Sequence, residues 1–264
     1  MPSKAVPNLL ETGPEGFSAM GTGLFVTGTD TEVGKTCCSL GLMVCLQRAG
    51  YRVAAMKPVA SGCQRTAAGL RNEDALLLSQ CASFSLDYQQ VNPYPLAPPI
   101  APHIAAATAG IEIQPTVIKA AFDSLSTLAD KVVVEGIGGW AVPINSKHTM
   151  ADMAVLLDLP VVLVVGLRLG CLNHALLTAE AISRTGLPFG GWIANRIEAT
   201  KFAWEEENIE TLRERLPAPL LGTVPYLSRP APERVASFFD LEQCLVAAQG
   251  SADKALLGQS NKNG

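Results

Sequence analysis

Charge is scarce in this sequence, and neither sign dominates. Of its 264 residues 17% are charged, 20 Lys and Arg against 24 Asp and Glu, for a formal net charge of −4. An average globular chain carries about 25% charged residues. The basic excess that holds a nucleic-acid backbone is missing, which argues against nucleic acid as a partner and leaves room only for a local basic pocket. Long apolar runs are missing as well. The most apolar stretch, residues 159–167, is nine residues long between Asp158 and Arg168, whereas a membrane-crossing helix needs about 20. The first twenty residues hold no apolar segment of the secretory kind, and they carry Glu11 and Glu15, unlike an Arg-rich transit peptide. The expectation is a cytoplasmic protein with no membrane partner.

Paired-cysteine spacing is absent too. Seven cysteines stand at 37, 38, 45, 63, 81, 171 and 244, an odd number with no C-x-x-C. That argues against a disulfide framework or a zinc site and reads as small buried hydrophobes in a reducing compartment. The three histidines, His103, His148 and His174, have no metal-ligand spacing, and His174 is read as structural. No internal repeat occurs.

What the sequence does contain is apolar. Hydrophobic residues make up 48%, enough for a large core. Short runs at 24–27, 53–56, 132–134, 161–165, 192–194 and 220–224 lack polar alternation and are rich in Val, as strands buried on both faces are. Helical patterns follow at 34–49, 73–81, 115–129, 151–157, 173–185, 201–215 and 233–247, most of them ending at Gly or Pro. The alternation predicts an α/β fold: one domain over 23–248, with a mostly parallel sheet, helices on both faces and right-handed crossovers. Residues 1–22 read as a loose extension and 249–264 as a tail. The segment 92–103 holds five prolines and reads as an extended connection. Ligands of such sheets bind at the carboxyl ends of the strands, so the informative residues should follow each apolar run.

After the first run comes Gly28-Thr-Asp-Thr-Glu-Val-Gly34-Lys35-Thr36 and then a helix. A strand, a glycine-bearing turn, Gly-Lys-Thr and a helix form the setting of a phosphate-binding P-loop, here with five residues between the glycines instead of four. Backbone N–H groups and the helix start offer positive potential to a polyphosphate. Gly34 permits close approach, Lys35 reaches the β- and γ-phosphates, and the Thr36 hydroxyl can ligate Mg²⁺. Lys57 ends the second run, before Pro58 and a Ser61-Gly62 turn, and faces the same crevice. Glu135 directly follows the Val run of the third strand and precedes Gly136, Gly138 and Gly139, where an acid could hold Mg²⁺ and glycines leave room for phosphate. Asp74 and Glu73 are candidates for a second metal-holding acid, and spacing alone does not separate them.

The segments GTDTEVGKT (28–36), KPVASG (57–62), RNEDALLL (71–78), VVVEGIGGWAVP (132–143), PVVLVVGLRLGCLNHALLTAEAI (160–182), GWIAN (191–195) and LLGTVPYL (220–227) resemble the dethiobiotin synthase family, in order from about residue 23 to about 240. The resemblance implies a homodimeric ligase of biotin biosynthesis that takes Mg-ATP, CO₂ (or bicarbonate) and diaminopelargonate. One amine becomes a carbamate, the carbamate attacks the γ-phosphate, and the second amine closes the ring, releasing phosphate. It implies Lys57, Lys35 and Thr31 as catalytic residues. It implies Glu32, Val33, Gly34, Lys35, Thr36, Asp74, Glu135 and Gly138 around the nucleotide, with Thr36, Asp74 and Glu135 on the metal, which selects Asp74 over Glu73. Asn195 matches the adenine-binding asparagine, and Pro225, Tyr226 and Leu227 the loop on the adenine. Ser61 matches a substrate contact. Gly170, Cys171, Leu172 and Asn173 match the turn through which the partner subunit receives the substrate carboxylate, a role that suits a helix start. Ile137 departs from the pattern, standing where a smaller residue is expected. Residues 229–233 align poorly, leaving Glu233 as a candidate ribose contact.

Two other classes compete. Partition or septum-site switch ATPases share the P-loop core but carry a lysine early in the loop, where this sequence has Asp30. Corrin-type amide ligases are usually longer and add a glutamine-hydrolysing domain.

Overall fold

The computed structural model describes residues 23–249. The expected extension over 1–22 and the tail over 249–264 lie outside those residues, apart from Gln249. The strands are β1 (Gly23–Gly28), β2 (Val53–Met56), β3 (Val59–Ala60), β4 (Gln64–Thr66), β5 (Gly69–Arg71), β6 (Tyr94–Pro95), β7 (Lys131–Gly139), β8 (Val161–Leu167), β9 (Phe189–Arg196) and β10 (Leu220–Val224). The helices are α1 (Lys35–Arg48), α2 (Glu73–Cys81), α3 (Tyr88–Val91), α4 (Pro102–Thr108), α5 (Pro115–Ser126), α6 (Met150–Leu157), α7 (Cys171–Ser183), α8 (Glu205–Arg215), α9 (Pro232–Ala236) and α10 (Leu241–Ala247). Six strands form one parallel sheet in the order β10-β9-β8-β1-β7-β2.

The Val-rich runs behave as strands covered on both faces. Along β8, Val161, Leu163, Val165 and Leu167 enter the core beneath α5, α6 and α7, while Val162 and Val164 enter the opposite core beneath α1 and α10. In β1, Phe25 points to the first core, and Leu24 and Val26 to the second. This period of two with apolar residues at every position is what a doubly covered sheet requires. Phe25 meets Trp140 edge-to-face, with ring centroids 6.1 Å apart.

Several boundaries differ from the sequence reading, each for a local reason. The helix expected from 201 starts at Glu205, because the acidic residues that favour a helix N-terminus are Glu205, Glu206 and Glu207. Glu205 is buried against the Arg196 guanidinium, which pins that first turn. The helix expected over 233–247 is two helices. Between them Asp240 N–H donates to Leu221 O at 2.8 Å, and the Asp240 side chain then caps α10 by accepting from Gln243 N–H at 3.0 Å. The helix expected from 173 starts at Cys171. The proline-rich segment 92–103 is not extended throughout: Pro102 opens α4 at a position where its missing N–H costs nothing. The short pairs β3–β6 and β4–β5 had no signal in the apolar pattern. β3 follows Lys57 and Pro58 directly and begins one wall of the site.

Candidate active site

The loop after β1 is held from below. Thr29 N–H donates to Val164 O at 3.0 Å, tying the turn to β8. Val33 is buried, and Asn195, at the end of β9, donates its Nδ2 to Val33 O at 2.8 Å. Gly34 has φ +83°, and a Cβ there would lie 2.1 Å from Asn195 Nδ2, so only glycine fits. Glu32 takes φ 60° without being glycine, a strained turn of the kind that loops around ligands keep. Asp30 organises the loop's entry. Its Oδ1 accepts from Thr31 N–H at 2.8 Å, its Oδ2 from Arg168 at 2.5 Å, and its carbonyl from Lys35 Nζ at 2.9 Å. The Thr31 bond and the Arg168 charge hold the Asp30 carboxyl below its usual range.

The buried polar groups converge here. Lys35, Lys57, Glu135 and Asn195 are among the few buried polar side chains of the described residues. Lys57 Nζ lies 2.5 Å from Glu135 Oε1 and 3.2 Å from Asp74 Oδ2. Thr36 Oγ1 donates to the same Glu135 oxygen at 2.9 Å. Burial works against the Lys57 charge, but the two carboxylates outweigh it and its pKa is raised. Among the described residues Lys35 meets a backbone carbonyl but no carboxylate within ion-pair distance. Burial first, and the Lys57 charge second, bring its pKa down to about 8. Two neighbouring lysines are thus pushed in opposite directions.

Glu135 does not end its strand as the sequence suggested. β7 continues to Gly139, but the register with β1 breaks after the Val26–Glu135 pair. The glycines beyond Glu135 let β7 bend there, and the carboxylate is left fully buried at the break, with Oε2 lacking a hydrogen-bond partner among the described residues. A buried orphan carboxylate oxygen, a second carboxylate on Asp74 and the Thr36 hydroxyl form an all-oxygen donor set, which suits Mg²⁺.

A cleft of about 830 Å³ joins Thr31, Glu32, Gly34, Lys35, Thr36, Lys57, Ser61, Asp74, Glu135 and Gly138. A second cleft of about 770 Å³ shares Thr36 and Asp74 with it and runs past Cys37 to Glu233. Glu73 lines only this second cleft. The remaining candidates stand at the same edge of the sheet but outside both clefts. Val33 and Asn195 lie behind the loop. Pro225, Tyr226 and Leu227 follow β10. Gly170, with φ +95°, caps α7, where Cys171 is buried and Asn173 is exposed. All seven cysteines are free thiols. Five are buried, and Cys37 and Cys81, only half-buried, pack against the second core and also line the second cleft.

The sequence reading passed over Asn72, Val142 and the wall formed by Pro99–Pro102, all of which line the first cleft. Asn72 had a readable signal, since it is the N-cap that precedes Glu73-Asp74 and accepts from Ala75 N–H. Ile137, the departure from the family pattern, also lines this cleft.

Fold and site together define a P-loop nucleotide-binding α/β protein with two buried lysines and two carboxylates at its phosphate loop. A family model described as an AAA domain matches residues 22–234. The chain is 55% identical over 219 residues to the ATP-dependent dethiobiotin synthetase BioD of Pseudomonas aeruginosa, covering 82% of this chain and 95% of that one. It is 48% identical over 213 residues to the ATP-dependent dethiobiotin synthetase BioD 1 of Escherichia coli, covering 81% and 94%. The solved structure of the MinD cell division protein of Aquifex aeolicus superposes with a TM-score of 0.50 at 15% identity, covering 89% and 96%, a likeness of fold alone. The chain belongs to the dethiobiotin synthetase family.

Proposed function

We infer that this protein is a dethiobiotin synthase, an ATP-dependent ligase that closes the ureido ring from diaminopelargonate and CO₂ or bicarbonate. The observation that carries the reading is the Lys57 ammonium, buried between Asp74 and Glu135 beside a phosphate loop, in a chain 55% identical to a dethiobiotin synthetase.

The chemistry follows from charge. The carbamate and the triphosphate are both anions and must meet. Lys35 and the N-terminus of α1 hold the β- and γ-phosphates, with Thr31, Glu32, Gly34 and Gly138 shaping the loop around them. Thr36, Asp74 and Glu135 would hold Mg²⁺. Bound there, Mg²⁺ neutralises charge on the transferring phosphoryl group. Lys57 neutralises the carbamate and orients its oxygen toward the γ-phosphorus, while Ser61 contacts the diamine. One amine bonds to the carbon of CO₂ and loses a proton to solvent, giving the carbamate, whose oxygen then bonds to phosphorus as the bond to ADP breaks. The second amine then bonds to the carbamoyl carbon, phosphate leaves, and the amine loses a proton. No covalent bond to the protein forms, so the rate rests on electrostatics and alignment. Asn195 and residues Pro225, Tyr226 and Leu227 take the adenine, and Glu233, in the second cleft, the ribose.

The active unit in this reading is a homodimer. Leu169, next to the α7 turn, is 93% exposed, and Leu177 on the same helix is 58% exposed. Such side chains gain from being covered by a second copy. Gly170, Cys171, Leu172 and Asn173 of one copy would then receive the substrate carboxylate bound to the other. The domain spans 23–248, and the expected compartment is the cytoplasm. Among the described residues no helix is long and apolar enough to cross a membrane.

The test is ADP release by the purified protein with Mg-ATP, bicarbonate and diaminopelargonate. Turnover should require the diamine. ADP release that is indifferent to the diamine, or none in its presence, would overturn the reading.

A further inference from the structure

Lys57 and Asp74 meet across the site, yet they come from segments that share no sheet bond: the end of β2 and the first turn of α2. Something must fix their separation. The Lys57 main chain is held on both sides, its N–H donating to Val91 O at 2.7 Å and its carbonyl accepting from Asn92 Nδ2 at 2.6 Å. Asn92 is 1% exposed. Its Oδ1 accepts the Tyr88 hydroxyl at 3.2 Å. The Tyr88 oxygen in turn accepts Asn72 N–H at 2.8 Å. Asn72 is the N-cap of α2, and Asp74 sits two residues further on, with its Oδ2 at 3.2 Å from Lys57 Nζ. The bonds close a ring: Lys57 main chain, Asn92, Tyr88, Asn72, the start of α2, Asp74, and back to the Lys57 side chain.

Every donor in this ring meets an acceptor in one direction. The Tyr88 hydroxyl donates its one proton to Asn92 and accepts from Asn72 on its oxygen, and the Asn92 amide has one orientation. The Arg71 guanidinium lies over the Tyr88 ring at 4.1 Å, which fixes the plane of the ring. Asn72 also reaches Ser61 O through Nδ2 at 3.4 Å, so the substrate-side turn is tied to the same cap.

We propose that Tyr88 and Asn92 are positioning residues of the reaction. They hold the Lys57 main chain and the α2 N-terminus at a fixed separation, so that the Lys57 ammonium and the Asp74 carboxylate stand in register with the phosphate loop. The proposal rests on the functional reading above for the roles of Lys57 and Asp74. Neither Tyr88 nor Asn92 lines the cleft, so both act through other residues. Displacing a reacting group by about 1 Å can cost about a hundredfold in rate, whereas one lost neutral hydrogen bond costs only a small part of folding stability.

Tyr88→Phe is the direct test, because it removes both bonds of the hydroxyl and keeps the ring under Arg71. The expected result is a kcat lower by about tenfold with the KM for ATP within about twofold, a loss within what the two hydrogen bonds together contribute. Mg²⁺ binding to the ADP complex, read by calorimetry without turnover, should weaken about fivefold, while the melting temperature stays within a few degrees. Tyr94→Phe is the control. It loses one hydroxyl contact, to Gln114 N–H at 3.0 Å, on the same stretch of chain, and should keep wild-type kcat and Mg²⁺ affinity. Asn92→Ala should exceed Tyr88→Phe in both losses; if it does not fold, Tyr88→Phe carries the test. A folded Tyr88→Phe protein with wild-type kcat and Mg²⁺ affinity overturns the proposal, as does Tyr94→Phe losing both equally. If the wild-type chain does not turn over the diamine, the functional reading fails, and the calorimetric comparison still decides whether the ring positions the site.

Discussion

Binding of a nucleotide should draw a proton from solution onto Lys35. In the empty site burial, and then the Lys57 charge, bring its pKa down to about 8. A polyphosphate seated in the loop supplies the anionic partner that Lys35 lacks, so its pKa in the complex rises well above that value. The proton taken up then equals the neutral fraction before binding: about 0.1 at pH 7, about 0.5 at pH 8 and about 0.9 at pH 9. The same linkage weakens affinity about tenfold between pH 7 and pH 9, or about 1.4 kcal/mol. Lys57 contributes nothing in this window because its pKa is raised and it stays charged. Calorimetric titration with ADP in two buffers of different ionisation enthalpy reads the proton number at each pH. A proton number near zero at pH 8 and 9, or proton release, would refute the argument. The stability sign is fixed by the same shift. Between about pH 8 and the unfolded value of 10.5 the unfolded chain holds a proton that the folded chain lacks, so the folded state gains as pH rises through that window. Below pH 8 the charged Lys35 is a full penalty. Lys35→Met should therefore melt higher than the wild type at pH 7, by up to about 3 kcal/mol, with the gap closing toward pH 10.5.

Lys57→Met removes the cation between two carboxylates and leaves the buried Glu135 carboxylate with the Thr36 hydroxyl but no counter-charge in contact. It should cost about 3–5 kcal/mol in chemical denaturation, with Mg²⁺ raising the variant's melting temperature more than the wild type's; an unchanged midpoint would count against the ion triad. Turnover by that variant should fall by orders of magnitude while ADP still binds. Asn195→Ala leaves the buried Val33 carbonyl without its donor, at about 1–3 kcal/mol, and should weaken all nucleotides while narrowing the preference for ATP over GTP. Competition binding with both nucleotides reads the two effects separately, and undiminished selectivity would remove Asn195 from adenine recognition.

The sheet was readable because burial on both faces writes itself into the chain as unbroken Val and Leu. Residues 161–165 could hardly be anything but an interior strand, and β8 lies in the middle of the sheet between β1 and β9. Elements whose cause is not periodic were read less well. The turn between α9 and α10 exists because Asp240 N–H bonds to Leu221 O on β10, and a local pattern over 233–247 cannot contain that bond. The helix from Glu205 starts where it does through Arg196, nine residues earlier, whose guanidinium meets a buried carboxylate.

Within the site, the division falls between residues named by their own chemistry and residues named by a neighbour's. Gly34, Lys35 and Thr36 carry the phosphate loop in three letters, and a lysine at a strand end is conspicuous. Asn92 and Tyr88 carry no motif, since a tyrosine in a short polar segment and an asparagine before a proline resemble ordinary turn chemistry. Their meaning depends on Lys57 lying 35 positions before Asn92, a separation over which sequence spacing has no geometric content. The same holds for the opposite pKa shifts of Lys35 and Lys57. Both are buried lysines at the carboxyl edge of the sheet, one opening α1 and one following β2, and indistinguishable by type. What separates them is that β7 breaks register beside β1 and leaves Glu135 next to one of them. One lysine is thereby matched to carboxylates in the empty protein. The other has a backbone carbonyl but, among the described residues, no carboxylate in contact, and that deficit is what a polyphosphate would fill.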